Sequence, residues 1–312
     1  MPVETISITS RDQWLALRSQ DITASVAGAL LGVHEYTTPY ALWALKTGQI
    51  QEDAEETPAM RRGRRLEPIA IEELRELRPD WQVKPCKFYY RDPEARLGAT
   101  PDAFASCPER GLGIVQIKTV EPMIFRKKWR DPETGEIELP LWIAVQAIVE
   151  AHLTGAKWAC VVALIVGHGI DLEIIDVPIH AGVIDRIRTA VADFWHLVGS
   201  GETPAPDYGR DGAIIEQLFR ADNGETIDLT TDNALPGLLA ERERLSEEKS
   251  AAEKRLKEIK AEILAKLGNA SFARVADGRL ISAKTIHRKE YIAKASSYRD
   301  LRIKTLTEKE AA

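Results

Sequence analysis

The sequence predicts an α/β (α+β) fold, a mixed β-sheet flanked by helices, followed by a long helix and a small basic tail. Three observations predict it. Apolar residues recur at helical spacing as far as Leu77, and the pattern switches at Trp81 to short runs rich in β-branched residues. Helix, strand, strand and helix then succeed one another as far as Leu197.

The elements follow in order. Arg11–Gly32 reads as a helix, a turn at Asp21-Ile22-Thr23 and a small-residue helix Ala24–Leu31, with a further helix over Pro39–Thr47. The acidic stretch Gln51–Pro58 reads as a loop. MRRGRRLEPIAIEELRELRP then gives a helix with Leu66, Ile69, Ile71, Leu74 and Leu77 as its apolar positions, closed by Pro79. Trp81–Arg91 and Leu97–Ala105 read as strands, Pro108–Gly113 as a hairpin connection and Gly113–Val120 as a third strand. Leu141–Leu153 is a helix ended by Gly155. Strands over Trp158–Val166 and Leu172–Pro178 and a helix over His180–Leu197 complete a core expected to span residues 1–205. A linker is expected over 206–234. In the region 235–312, Leu235–Leu267 is a long charged helix with a narrow apolar seam, and Ser271–Ala283 is a hairpin turning at Asp277-Gly278.

Bulk composition excludes several classes. At 44% hydrophobic and 29% charged, the 312 residues are neither disordered nor membrane-like. No apolar run approaches the roughly 20 residues that cross a bilayer, and the N-terminal residues lack the pattern of a secretory signal. The chain is therefore expected to be soluble and intracellular. Cys86, Cys107 and Cys160 lie far apart with no zinc-like spacing and read as reduced thiols. A net charge of −6 does not advertise a nucleic-acid binder, but charge is segregated: 270–304 holds nine Lys/Arg against three Asp/Glu.

The chemistry concentrates in GATPDAFA (Gly98–Ala105) and GIVQIKTV (Gly113–Val120). Asp102 ends one strand, while Gln116 and Lys118 share a face of the next because side chains alternate with period two. Glu67 lies on a helix able to pack across that edge. Hydrolysis of a phosphodiester suits such a grouping. Carboxylates hold Mg²⁺ through hard oxygen ligands, and a neighbouring lysine serves the attacking water. Lys118 is the strongest single residue, since an unpaired lysine inside a β-branched run would be costly to bury.

Proline-aspartate, about a dozen residues and then (D/E)xK resembles the core of the PD-(D/E)xK nuclease superfamily. Arg18-Ser19-Gln20-Asp21-Ile22-Thr23-Ala24-Ser25 resembles the R-x-x-x-I-T-A-S opening of the YqaJ-type viral recombinase family, to which phage lambda exonuclease is similar. Gly63 through Glu67 resembles that family's G-x-x-x-E helix, and Gln146 matches its glutamine after the catalytic strand. These motifs occur in order over roughly residues 10–200.

The resemblance implies a PD-(D/E)xK-like fold and an Mg²⁺-dependent exonuclease, with Mn²⁺ as a substitute. Such an enzyme would resect double-stranded DNA ends 5′→3′ for a single-strand annealing protein, as a homo-oligomer (a trimer) in the bacterial cytoplasm. It further implies Glu67, Asp102, Gln116 and the Ile117 carbonyl as metal ligands. Lys118 would act on the nucleophilic water, Gln146 would position it, and Arg18 and Ser25 would bind phosphate. Where the family has a carboxylate this chain has Gln116, and Glu121 lies on the wrong strand face to replace it. Three readings stay open: a tolerated variant relying on Glu67 and Asp102 (preferred), an engineered inactive protein, or a weakly active DNA-binding or assembly protein that keeps the fold.

Plainer readings stand beside these. Glu67, among Arg61, Arg62, Arg64 and Arg65, equally suits a solvated ion-pair face. The six histidines show no ligand spacing and read mostly as surface or cap residues. The tryptophans read as core, with Trp129 as the exception. Arg126, Lys127, Lys128 and Arg130 surround it as a candidate DNA-backbone grip. The tail reads equally as a packing or self-associating helix and as a DNA or partner contact through Lys284–Lys304.

Overall fold

A computed structural model of the chain describes residues 2–51, 56–290 and 298–303. Two compact units result, Met1–Phe219 and Arg220–Ala312.

The first unit opens with strand β1 (Glu4–Ser7) and helix α1 (Arg11–Gln20). The N-cap Ser10 accepts the Gln13 N–H at 3.1 Å, while Gln13 Oε1 accepts the Thr9 N–H at 2.9 Å. This reciprocal pairing resembles a capping box, and it satisfies an amide that has no partner inside the helix. Strand β2 (Ile22–Thr23) and helices α2 (Ala24–Leu30), α3 (Pro39–Lys46) and α4 (Pro58–Leu77) follow. Thr38 and Thr57 cap α3 and α4, each with proline in the first helical position, where its missing N–H costs nothing.

Next come strands β3 (Gln82–Pro85), β4 (Phe88–Asp92), β5 (Leu97–Ala99), β6 (Ala103–Cys107) and β7 (Gly111–Val120). Helices α5 (Pro122–Lys128) and α6 (Leu141–Thr154) lead to β8 (Trp158–Val166) and β9 (Ile170–Val177). The unit closes with α7 (Ala181–Ser200) and α8 (Gly212–Leu218).

The strands form a five-stranded sheet, β3-β6-β7-β8-β9, and a four-stranded sheet, β1-β4-β5-β2. In the larger sheet only β7 and β8 run parallel, and α5 and α6 supply the crossover that a parallel pair requires. The mixed sheet flanked by helices is thus as expected. Each of the two strands expected over 81–91 and 97–105 is broken, however, and its halves join different sheets. Pro85 and Pro101 sit at the breaks, where a residue without an N–H cannot continue a central ladder. Across the breaks the Cys86 N–H donates to the Asp102 carbonyl at 3.0 Å. Asp102 therefore lies at the seam between the two sheets.

Helices cover both faces of the large sheet beside the seam. Ala70, Ile71 and Leu74 of α4 cover one face of the large sheet, over Val115, Ile117, Val162 and Leu164. Ile143, Ala147 and Ala151 of α6 cover the other, over Ile114, Ala159, Val161 and Ala163. Val145, Val149 and Leu153 of α6 meet a third cluster with α2 and α7. A helix apolar on this many sides must be interior.

Residues 206–219, expected to be a linker beyond a core ending at 205, pack on the first unit. Asp211 is buried and accepts from the Thr38 hydroxyl, and Arg210 donates to the His34 carbonyl at 2.7 Å. Sequence periodicity gave no hint of this, because the contacts are polar and depend on single residues.

The second unit contains α9 (Leu235–Leu267) and the hairpin of β10 (Phe272–Arg274) and β11 (Leu280–Ser282) around Asp277-Gly278. Ion pairs at helical spacing, such as Arg244–Glu248 at 2.6 Å, line α9, and its seam residues Leu238, Leu245 and Leu256 are exposed. Of the basic end, 291–297 and Lys304 lie outside the described residues, as do positions 52–55 of the acidic loop. No helix among the described residues is long and apolar enough to cross a membrane.

Candidate active site

The sheet seam assembles the candidate site. The β6–β7 ladder ends at Ala103↔Val115, so the edge of β7 beyond it is free to bond side chains. There the Ile117 N–H donates to Asp102 Oδ2 at 2.7 Å. N–H and C=O of one strand residue leave on the same side, so the Ile117 carbonyl also faces this edge. The face of β7 turned toward α6 carries Gln116 and Lys118, as the alternation requires.

Five polar side chains form one network of hydrogen bonds. Lys118 Nζ donates to Gln146 Oε1 at 2.9 Å. Gln146 Nε2 donates to Gln116 Oε1 at 3.0 Å and to Glu150 Oε1 at 2.9 Å, and Gln116 Nε2 donates to Asp102 Oδ2. Gln116, Gln146 and Glu150 are buried at 2%, 6% and 1% exposure, which is why their bonding is nearly complete. Glu150 Oε2 is buried with no hydrogen-bond partner among the described residues.

Electrostatics follow from this burial. Desolvation pushes the Asp102 carboxyl up against the opposing pull of Lys118 and the Ile117 N–H. The Lys118 ammonium is pushed down by burial, opposed by the charges of Asp102 and Glu150. Burial raises Glu150 well above the usual range. Glu67 is pushed up to about 7, by burial first and then by Asp102. Among the described residues no cation or donor offsets Glu67.

The oxygen-rich set of Glu67, Asp102 and the Ile117 carbonyl fits Mg²⁺, which commonly binds through one or two carboxylates and keeps several waters. No group of three or more His, Cys, Asp or Glu able to hold a metal exists among the described residues. Gln116, expected among the ligands, is bonded within the polar network. Its amide oxygen is taken by Gln146, and it turns its N–H toward Asp102. Glu121 does not stand in, being exposed and paired with Arg62 at 3.3 Å.

The R-x-x-x-I-T-A-S segment arrives beside the site through β2, which pairs parallel with β5 (Ile22↔Leu97, Thr23↔Gly98) just before Thr100-Pro101-Asp102. Gly98 permits this: a Cβ there would lie 1.9 Å from the Tyr89 hydroxyl, which donates to buried Asp21 at 3.0 Å. Arg91 also binds Asp21, at 2.9 Å. Ser25 Oγ contacts Thr23 Oγ1 at 3.0 Å, and Arg18 stacks on Trp14, whose Nε1 donates to Thr100 Oγ1 at 3.1 Å.

The rim was less legible. His34, expected among surface or cap histidines, is buried; its Nδ1 accepts the Tyr36 and Thr37 amides and its Nε2 donates to the Ser25 carbonyl at 3.0 Å. Trp142 contacts His34 and Tyr36, at 5.0 Å and 6.0 Å between ring centroids, and lies 5.4 Å from Lys118 Nζ. Trp129 is a correction: it is 5% exposed and packs on Phe125, so it offers no face to a base. Of its basic neighbours, Lys128 pairs with Glu35, Arg130 donates to the Gly135 carbonyl at 2.8 Å, and Arg126 and Lys127 are exposed. Glu150, which the sequence reading passed over, is the polar residue one turn beyond Gln146 on α6.

Residues 13–157 match the model of the YqaJ-like viral recombinase domain. The chain is 29% identical over 263 residues to an uncharacterized protein YqaJ of Bacillus subtilis (strain 168), covering 81% of this chain and 78% of the relative. Among solved structures it is similar to an alkaline exonuclease from Laribacter hongkongensis, with 19% identity, TM-score 0.47 and coverage of 65% of this chain and 98% of that one. A phage related exonuclease from Haemophilus somnus 129PT gives 14% identity, TM-score 0.44 and coverage of 58% and 96%.

Proposed function

We propose that the chain, whose residues 13–157 match the model of the YqaJ-like viral recombinase domain, is a metal-dependent exonuclease that resects linear double-stranded DNA. The observation that carries this is the meeting of Asp102 and Lys118 at the sheet seam, with Glu67 held close enough for the charge of Asp102 to raise it. The 5′→3′ polarity, a single-strand annealing partner and a homo-oligomeric (trimeric) state follow the family resemblance.

Glu67, Asp102 and the Ile117 carbonyl would hold Mg²⁺, or Mn²⁺ in its place. When bound, the ion offsets charge on the phosphate and lowers the pKa of water. Lys118, pushed toward its neutral form by burial, takes a proton from the attacking water or holds that water through its N–H. Gln146 fixes the Lys118 Nζ by accepting from it. Arg18 and Ser25, on the segment joined to β5, suit the phosphate side of the DNA end.

Incubation with linear and closed circular duplex in Mg²⁺ or Mn²⁺ tests this. Linear DNA is expected to be degraded and circular DNA spared. Lys118→Ala is expected to lower kcat by about 10²–10⁴-fold, the usual worth of a general acid or base. Activity that survives Lys118→Ala, or cutting of closed circles, overturns the proposal.

The amide at position 116 favours a second reading, a DNA-binding or assembly protein that keeps the nuclease fold. It predicts an inactive protein that Gln116→Glu makes active.

A further inference from the structure

The geometry points to Glu150 as a positioning residue that sets the direction of the hydrogen-bond chain from Lys118 to Asp102 and thereby makes Gln116 a donor to Asp102. This deepens the nuclease reading, although the amide orientation stands without it. The argument begins at Gln146, whose amide offers one acceptor oxygen and two N–H groups. Lys118 Nζ donates to Oε1, at 2.9 Å. Glu150 Oε1, 2.9 Å away, can accept whether or not the buried acid is ionised, and so holds Nε2 on the opposite side.

Turning the Gln146 amide over would set its N–H₂ against the Lys118 N–H groups and its oxygen against the Glu150 oxygen that now accepts from it. With Gln146 fixed, its second N–H is delivered to Gln116 Oε1 at 3.0 Å, and this determines the Gln116 amide in turn. Its Nε2 is left to face Asp102 Oδ2. The side chain that stands in a carboxylate's place therefore gives Asp102 a proton donor. The oxygens left for a divalent cation are those of Glu67, Asp102 and Ile117. Glu150 touches none of them and acts through two amides.

Acceptor loss can be separated from charge loss by comparing Glu150→Gln with Glu150→Met in the full chain labelled with ¹⁵N-glutamine. In the wild type and Glu150→Gln, the Gln116 and Gln146 side-chain amide protons are expected to exchange slowly with water. In Glu150→Met the Gln116 protons are expected to exchange at least about tenfold faster, as hydrogen-bond protection is lost. The kcat on linear duplex is expected to fall by about 10–100-fold in Glu150→Met, as when an outer partner of a site is removed. KM for DNA ends should be unchanged, and Glu150→Gln should stay near wild type. Glu150→Leu serves if Glu150→Met does not fold. Equal Gln116 exchange in all variants, or equal damage from Glu150→Gln and Glu150→Met, overturns the assignment. A wild type without nuclease activity whose amides follow the expected pattern upholds it and removes only the nuclease reading.

Discussion

Glu67 ties the chemistry to the stability of the fold. Burial and the charge of Asp102 push its carboxyl from 4.5 to about 7, so the folded chain favours the neutral acid. The stabilisation from that neutral form is fully present below pH 4.5 and is lost as the pH rises through about 7. Without divalent cation, Glu67→Gln should therefore raise Tm at pH 8 by about 3 °C, the shift that roughly 1 kcal/mol gives a domain of this size. At pH 5 the gain should be clearly smaller, and calorimetry at the two pH values measures the difference. An equal gain at both would mean that Glu67 is not strained by ionisation. Lys118 and Asp102 were readable beforehand because a lysine in a β-branched run needs a partner. Glu150 was not: with Gln146 it makes an i,i+4 polar stripe, which on most helices faces water. Only the apolar cover on the other faces of α6 shows that this stripe points inward. For Trp129 the misleading signal was its basic neighbours, since the charges on a short helix say nothing about where the next ring points.

At the level of elements, β7 carries the site and one glycine keeps it flat against its neighbour. A Cβ on Gly113 would lie 2.1 Å from the Trp158 ring, which lies tilted against Trp81 at 4.8 Å between centroids. Gly113→Ala should cost about 1–3 kcal/mol, the usual penalty of overpacking a filled core. Urea denaturation should show a lower midpoint at unchanged slope, and an unchanged midpoint would show that the tryptophan pair can yield. Long, strongly patterned elements were legible: β7, β8, α6 and α9 fall where their periodicity puts them. Short ones were not. β1, α5 and α8 have four, seven and seven residues, too few to show a period. The division of 81–91 between two sheets escaped notice because alternation continues across Pro85 while the hydrogen bonding does not.

Across the whole molecule, the division at Phe219 predicts where the chain can be cut. A chain ending at Phe219 should keep the main melting transition and, on the proposed function, the attack on linear DNA. One ending at 205 loses buried Asp211 and the Arg210 contacts, and should be weaker by about 1.5–3 kcal/mol for each hydrogen bond to a charged group removed. Scanning calorimetry of the two truncations distinguishes them. Equal Tm values would show that 206–219 contributes nothing. At this scale the net charge of −6 is a sum over regions of opposite sign.

The Arg210 clasp also has a consequence for the order of events at the ribosome. Its guanidinium donates to the carbonyls of His34, Glu35 and Thr37, residues translated long before it. A nascent chain thus acquires Glu67, Asp102 and Lys118 well ahead of the clamp that secures the loop beside them. Securing of the 34–37 loop waits on one late codon.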